Sequence, residues 1–495
     1  MEDETMLDAG LAVPIALITA AVFVVAGVMY ARRGRGGVED YLVARNSAGS
    51  TLATATLVAS VAGAWILFSP AEAGTWAGIA AIVGYGIGQA APLIAFIWLG
   101  PKMRSVMPEG HSLTEFVWYR YGPAMYVFTL GVIIFYMFVF LSAELTGISL
   151  ALNLLADVPL LLTALIVGLL TVGYTAYGGI RASIFTDGIQ FVLVIPLLLI
   201  TFVALVVSVD GFGAVFEPVN ETAPQLLSFT NKSGVDFGIT LIIAILAANL
   251  FHQGFWQRVY TSKDDRSLRR GFTAAGIVVI PMIIIGGLAG IMTVGKDLVG
   301  DNASVAMFSL IVGVLPTWAV IVVLVLALVL VMSSLDTLLN GIASVVTTDL
   351  ARFKPELKGT TVLSSSRAIT VVLIIPAILI ASQGYSVLYL FLIADMVCAA
   401  ALVPVFWGLY APRFSGSDAL TASALGLIAG ILFFPTPEAP YLTGWIITID
   451  FASQLLVSFA AALGVSIVVS LVLTALRNRP EYDFAQLREQ VRLID

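Results

Sequence analysis

Residues Trp318 to Leu350 read WAVIVVLVLALVLVMSSLDTLLNGIASVVTTDL, an apolar run interrupted near its middle by Met332-Ser333-Ser334-Leu335-Asp336-Thr337. Two adjacent hydroxyls, a carboxylate and a third hydroxyl are costly inside hydrocarbon unless they face a cavity or bind something. Side-chain oxygens with no competing nitrogen or sulfur suit a hard cation such as sodium. The stretch therefore predicts a membrane helix that carries an ion site.

Composition places the whole chain in the same setting. It is 59% hydrophobic and 11% charged, with a mean hydropathy of +1.01, whereas soluble domains carry about 25% charged residues. Apolar runs of about 20 residues, each long enough to cross roughly 30 Å of hydrocarbon, recur along nearly the whole length. They predict thirteen helices, near 11–30, 50–70, 79–100, 124–152, 158–178, 183–208, 237–256, 271–294, 317–350, 367–383, 386–410, 418–436 and 447–476. The fold class is an all-α polytopic membrane protein.

Orientation follows from the positive-inside rule. With the N-terminus outside and the C-terminus cytoplasmic, 22 of the 24 basic residues fall inside, among them Arg45, Arg104, Arg120, Arg181, Arg258 and Arg352; only Lys232 and Lys296 fall outside. Adding or removing a helix in the middle would destroy this asymmetry. The first span begins Met1-Glu2-Asp3-Glu4, acidic where a cleavable signal peptide is basic, so it is expected to remain as a helix in the cell membrane.

Several functions are disfavoured. Cys398 is the single cysteine, which leaves no intramolecular disulfide and no cysteine-rich metal site. His111 and His252, the two histidines, do not form a His-Glu-x-x-His pair, and no phosphate-binding loop of the G-x-x-x-x-G-K-[ST] kind is present. The tail after Arg477 is too short for an enzymatic or signalling domain. No nucleophile and base pair suggests an enzyme, and nucleic acid is not expected as a partner; the net charge of −7 comes from acidic outer loops such as 211–236 and an acidic start.

A second informative stretch is Tyr177-Gly178-Gly179-Ile180-Arg181-Ala182-Ser183-Ile184-Phe185-Thr186-Asp187-Gly188-Ile189-Gln190. Paired glycines allow a tight turn into a helix whose first turns carry a carboxylate and an amide. Taken with the Met-Ser-Ser of the later helix, this Gly-Gly…Thr-Asp-x-Ile-Gln pattern resembles the sodium:solute symporter family, which includes the sodium/glucose, sodium/proline and sialic-acid transporters.

The resemblance implies a leucine-transporter-like core of two inverted five-helix repeats. These would cover 50–208 and 237–410, with an N-terminal helix and loop over 1–49, an outer loop over 209–236, and two further helices and a tail over 411–495. The first helix of each repeat would be broken near the midplane, freeing backbone groups for ion and solute. Gly63 and the small residues around it permit an unwound segment, and Pro70 prevents a regular continuation. The resemblance assigns a sodium ligand set of the Ala59, Ala62 and Leu330 carbonyls with the Ser333 and Ser334 hydroxyls. The plainer reading of the two serines is bonding to their own helix backbone.

Some family members hold a second sodium at positions matching Asp187, Asp336 and Thr337. Here Thr337 fits, while Asp336 puts a carboxylate where the pattern has a hydroxyl. Two carboxylates near one cavity repel unless a cation or proton lies between them. The residues therefore suggest a second cation or a shared proton; the competing readings are a solvated Asp336 or one paired with Arg181.

On the solute side, polar His252 and Gln253 stand mid-span beside Gly254 and aromatics, and Trp65 lies in the first break. Tyr85 occupies what in the glucose carriers is a substrate glutamate and Ile66 a sugar-contacting polar position, which counts against a hexose. Gln89 follows one turn after Tyr85. The alternative role for His252, Gln253, Tyr85 and Gln89 is helix-to-helix hydrogen bonding. Glu144 and Asp395 are further intramembrane carboxylates, functional candidates by location, with a structural role as the alternative.

The expectation is a sodium-coupled secondary symporter that imports a small organic solute by alternating access. The solute could be an amino acid, a carboxylate, urea or a sugar; the other partners are sodium ions and the lipid bilayer, and a monomer is expected to suffice. A proton-coupled carrier on the same fold and a solute-sensing membrane module are the alternatives.

Overall fold

The interrupted stretch is one continuous helix, Thr317–Phe353, in the computed structural model, with Ala327 to Ala343 buried throughout. The structure describes residues 7–32, 38–300, 302–354, 356–357, 359–436, 449–477 and 479–491. Arg33, Arg35, Lys358 and Arg492 of the orientation argument, and the expected start of the last span at 447, lie outside the described residues. Among the described residues the chain is helical, and its extended pairing is limited to one isolated bridge between Ala48 and Ser262. This is what a bilayer demands, since a helix satisfies its own backbone polar groups.

Eleven described helices are long and apolar enough to cross a membrane, and a twelfth crossing is a bent pair, Ser50–Val61 with Ala64–Trp76, broken at 55°. The longest helix, Leu160–Ser208, contains 49 residues, about 73 Å of helix and more than twice a hydrocarbon core. Gly179 divides it, with a backbone at φ 57° and ψ −155° that only glycine adopts readily. A Cβ at Gly179 would stand 2.5 Å from the ring of Tyr41. The two spans expected on either side of the glycine pair are thus consecutive helices joined without a loop.

The second half follows the same plan. Lys232–Leu250 stops, Phe251 and His252 leave the helix, and Gln253–Thr261 resumes. The break falls inside the expected span 237–256, whose helix begins earlier, at Lys232. The segment expected as an outer loop contains a helix of its own, Gly211–Thr222.

Helices approach closely where both surfaces are small. A Cβ on Gly84 of helix Gly78–Val106 would lie 2.3 Å from the Cα of Gly238 in the second broken helix. Membrane helices gain from such packing because lipid tails are as apolar as the side chains they would replace. At one end of the bundle the tail docks back: Arg120 lies over the rings of Tyr121, at 5.0 Å, and Tyr482, at 4.6 Å. Its guanidinium also donates to the carbonyls of Gly408 and Ala411.

Candidate functional site

The first break supplies the frame. Val61 ends one helix, Ala62 turns to φ −82° and ψ 83°, and a short 3₁₀ turn, Ala64–Leu67, precedes Ser69–Trp76. Breaking a helix leaves amides without partners. Glu144, from helix Pro123–Ala156, accepts from the backbone N–H of Ala64 at 2.9 Å and of Trp65 at 3.4 Å. A carboxylate that the sequence left between functional and structural roles thus caps the unwound segment.

Ser333 and Ser334 reach this segment from the long helix. Ser333 Oγ lies 3.0 Å from the carbonyl of Ala59 and 3.0 Å from Asp187 Oδ1. Ser334 Oγ is buried and has no hydrogen-bond partner among the described residues. A Cβ on Gly63 would lie 2.3 Å from both Ser334 Oγ and Glu144 Oε1, so glycine is required to let these oxygens converge. The structure brings Ala59, Ser333 and Ser334 together at the break; Ala62 is the residue that leaves the helix there, and Leu330 lies one turn before the serines.

Asp187 has a partner that sequence reasoning missed. Arg258 Nη2 donates to Asp187 Oδ2 at 2.8 Å, and the two side chains are 1% and 0% exposed. Nη2 also donates to Thr337 Oγ1 at 3.1 Å, Nε to Thr56 Oγ1 at 3.2 Å, and Nη1 to the Gly254 carbonyl at 3.1 Å. Thr56 in turn donates to Asp187 at 2.6 Å. Arg258 entered the sequence reading only as a basic residue near a helix end. It sits one turn beyond the second break, at the end of Gln253–Thr261, and the break turns that short helix inward.

Asp336 is held separately. Tyr174 donates to it at 2.8 Å, Ser183 at 2.9 Å, Thr186 at 3.2 Å and Thr337 at 3.3 Å. Tyr174 and Ser183 flank the Gly179 hinge, so the hinge builds this cradle. Hydroxyls supply what the buried carboxylate requires.

The solute candidates divide. Trp65, Tyr85 and Gln89 line one cavity, together with Tyr136, Phe140 and Asp395. Trp65 and Tyr85 stack with ring centres 5.8 Å apart. Gln253 points elsewhere, donating to the His111 carbonyl at 2.8 Å and accepting from the Leu113 N–H at 3.3 Å. His252 caps its own helix, Nδ1 accepting from the Gly254 N–H at 3.1 Å, and its ring stacks on Phe255 at 4.6 Å. Neither of these two lines the cavity.

Gln253 reaches a polar knot in the connection that follows helix Gly78–Val106. His111 lies 2.6 Å from Glu39 and 3.2 Å from Glu115, while Arg45 donates to the carbonyls of Pro108 and Gly110. Burial alone would lower the His111 pKa, but the Glu115 and Glu39 carboxylates outweigh it and raise the pKa to about 9. The knot therefore holds a charged histidine at neutral pH.

Comparison with known proteins agrees with this architecture. The chain is 29% identical over 405 residues to the spermidine transporter DUR31 of Candida albicans, covering 80% of this chain and 75% of that protein. It is 25% identical over 480 residues to the sodium/glucose cotransporter of Vibrio parahaemolyticus, covering 89% and 86%. A solved structure of a Na+-coupled sialic acid symporter in a substrate-bound outward-open state superposes with a TM-score of 0.74 at 16% identity, covering 94% of this chain and 98% of that one. That likeness establishes the fold, the leucine-transporter-like arrangement of two broken-helix repeats. The model of the sodium:solute symporter family matches residues 41–426, and the chain belongs to that family.

Proposed function

We propose that the protein imports a small organic solute with sodium bound at the first break, by alternating access. The Ala59 and Ala62 carbonyls, the Leu330 carbonyl and the Ser333 and Ser334 hydroxyls form the sodium site, a set of neutral oxygens suited to a monovalent hard cation. The observation that carries this reading is the placement of two long-helix hydroxyls against the unwound segment: Ser333 3.0 Å from the Ala59 carbonyl, and Ser334 beside Gly63 without a partner among the described residues.

Sodium there ties the first broken helix to the helix Thr317–Phe353. An ion that binds better to the outward-open arrangement shifts the population toward it, and the same coupling raises affinity for the solute. With the N-terminus outside, a negative interior favours sodium entry by about 2.3 kcal/mol per charge per 100 mV.

The position that would take a second cation holds one that the protein supplies. Arg258 neutralises Asp187, which supports one coupled sodium rather than two. The relatives named for spermidine and for glucose support a small polar solute without choosing between charged and neutral.

The test is uptake of radiolabelled solutes into proteoliposomes with and without an inward sodium gradient. Sodium-stimulated uptake with a Hill coefficient of about one is expected. Uptake driven equally by a proton gradient in sodium-free medium would refute the reading.

A further inference from the structure

The cavity beside the first break has a chemistry of its own. Six aromatic rings line it, Trp65, Tyr85, Tyr136, Phe140, Phe255 and Phe391, and among the described residues no lysine, arginine or histidine does. Asp395, on helix Val387–Trp407, also lines it, 6% exposed. Nothing among the described residues donates to its carboxylate.

Four other intramembrane carboxylates each have a partner. Glu144 accepts two backbone amides, and Glu72 accepts from Ser304 at 2.6 Å and Ser386 at 2.9 Å. Asp187 has Arg258, and Asp336 has its hydroxyls. A carboxylate left unpaired in apolar surroundings is costly, and a ligand that neutralises it recovers the cost. Ser60, Gln89 and Asn249 add neutral polar groups to the same cavity, able to bond the N–H or O–H groups of a solute without offsetting the Asp395 charge.

The surroundings also discriminate against anions. A solute carboxylate would meet Asp395 with no cation to offset it. The amides of the break, where an anion would otherwise dock, are taken by Glu144. Aromatic faces, by contrast, attract an ammonium group and tolerate the carbon chain that carries it.

We infer that the transported solute is an organic cation bearing a protonated amine, its ammonium against Asp395 and its carbon skeleton between the rings of Trp65, Tyr85, Tyr136 and Phe140. The inference rests on the symporter reading for transport and adds the class of solute. Sodium at the Ser333 and Ser334 site and the ammonium at Asp395 are distinct cations at distinct places.

The experiment uses purified protein in proteoliposomes, with labelled spermidine, putrescine and choline set against labelled glucose, urea, proline and pantothenate. The expected result is sodium-stimulated uptake of an amine, competed by other amines and not by the neutral or anionic solutes. Asp395→Asn keeps the shape and removes the charge; it is expected to weaken amine binding by about tenfold or more while keeping the thermal stabilisation that sodium confers. Equilibrium binding of spermidine to wild-type protein provides a readout that needs no variant to fold.

Absence of amine binding to the wild type, or an Asp395→Asn variant that binds amines as the wild type does, would overturn the inference. Sodium-stimulated uptake of glucose or pantothenate, uncompeted by amines, would overturn the solute class and leave sodium coupling standing. Amine uptake indifferent to sodium would do the reverse.

Discussion

Arg258 and Asp187 form an ion pair at 2.8 Å between the second broken helix and the helix that follows the Gly179 hinge, with both side chains withdrawn from solvent. The pair joins the two helices at the level of Ser333, which donates to the other oxygen of the same carboxylate. A guanidinium is suited to this place: its planar fork reaches Asp187, Thr56, Thr337 and the Gly254 carbonyl at once.

Breaking that pair from one side leaves an uncompensated buried charge. Arg258→Met and Asp187→Leu should each destabilise the protein by about 3–5 kcal/mol, and the double variant should recover most of the loss. Thermal unfolding in detergent measures this. A double variant no more stable than the singles would show that the two charges do not act as a pair.

Ser334→Ala separates sodium binding from folding. Its hydroxyl has no partner among the described residues, so removing it should leave the sodium-free melting temperature unchanged or slightly raised. The rise in melting temperature on adding sodium, a consequence of binding to the native state alone, should shrink or vanish. A sodium-induced rise equal to that of wild type would remove Ser334 from the ligand set.

Gly63→Ala tests the convergence at the break. The added methyl would lie 2.3 Å from Glu144 Oε1 and Ser334 Oγ and 2.5 Å from Trp65 Cδ1, a crowding expected to cost about 1–3 kcal/mol. The variant should also lose the thermal shift from sodium, because the oxygens must move apart. Wild-type sodium affinity in Gly63→Ala would contradict this placement.

The polar knot around His111 carries a pH dependence. The folded-state pKa, about 9, exceeds the ordinary value of 6.5, so the folded state binds the proton more tightly than the unfolded chain. Its stabilisation is therefore complete below pH 6.5 and is lost as pH rises through about 9. The melting temperature should fall across that window by a few degrees more in wild type than in His111→Gln. Parallel curves for the two proteins would exclude His111 as the titrating group.

Class and span pattern were legible from local sequence, because hydropathy acts through the residues that carry it; the first break was implied by the family resemblance, with Gly63 and Pro70 compatible with it. The hydroxyl pair at Ser333 and Ser334 was visible for the same reason, as polar groups where hydrocarbon tolerates few. The 178–179 glycine pair marked a turn, and the structure makes it the hinge of an otherwise continuous helix.

Which partner each buried polar group meets was decided only by tertiary structure. Arg258 and Asp187 are 71 residues apart and His111 and Glu39 are 72 apart, and no local pattern encodes such encounters. The direction of a side chain at a helix break depends on how the halves pack, which sent Gln253 to the His111 loop while Tyr85 and Gln89 went to the cavity. Sequence determined that carboxylates would lie within the membrane; the fold decided that Asp187 is paired with Arg258, that Asp336 accepts from hydroxyls and Glu144 from the amides of a broken helix, and that Asp395 faces the cavity. Hydrophobicity is a property of each residue, whereas compensation of a buried charge requires a second group brought within about 3 Å, and only the folded chain sets that distance.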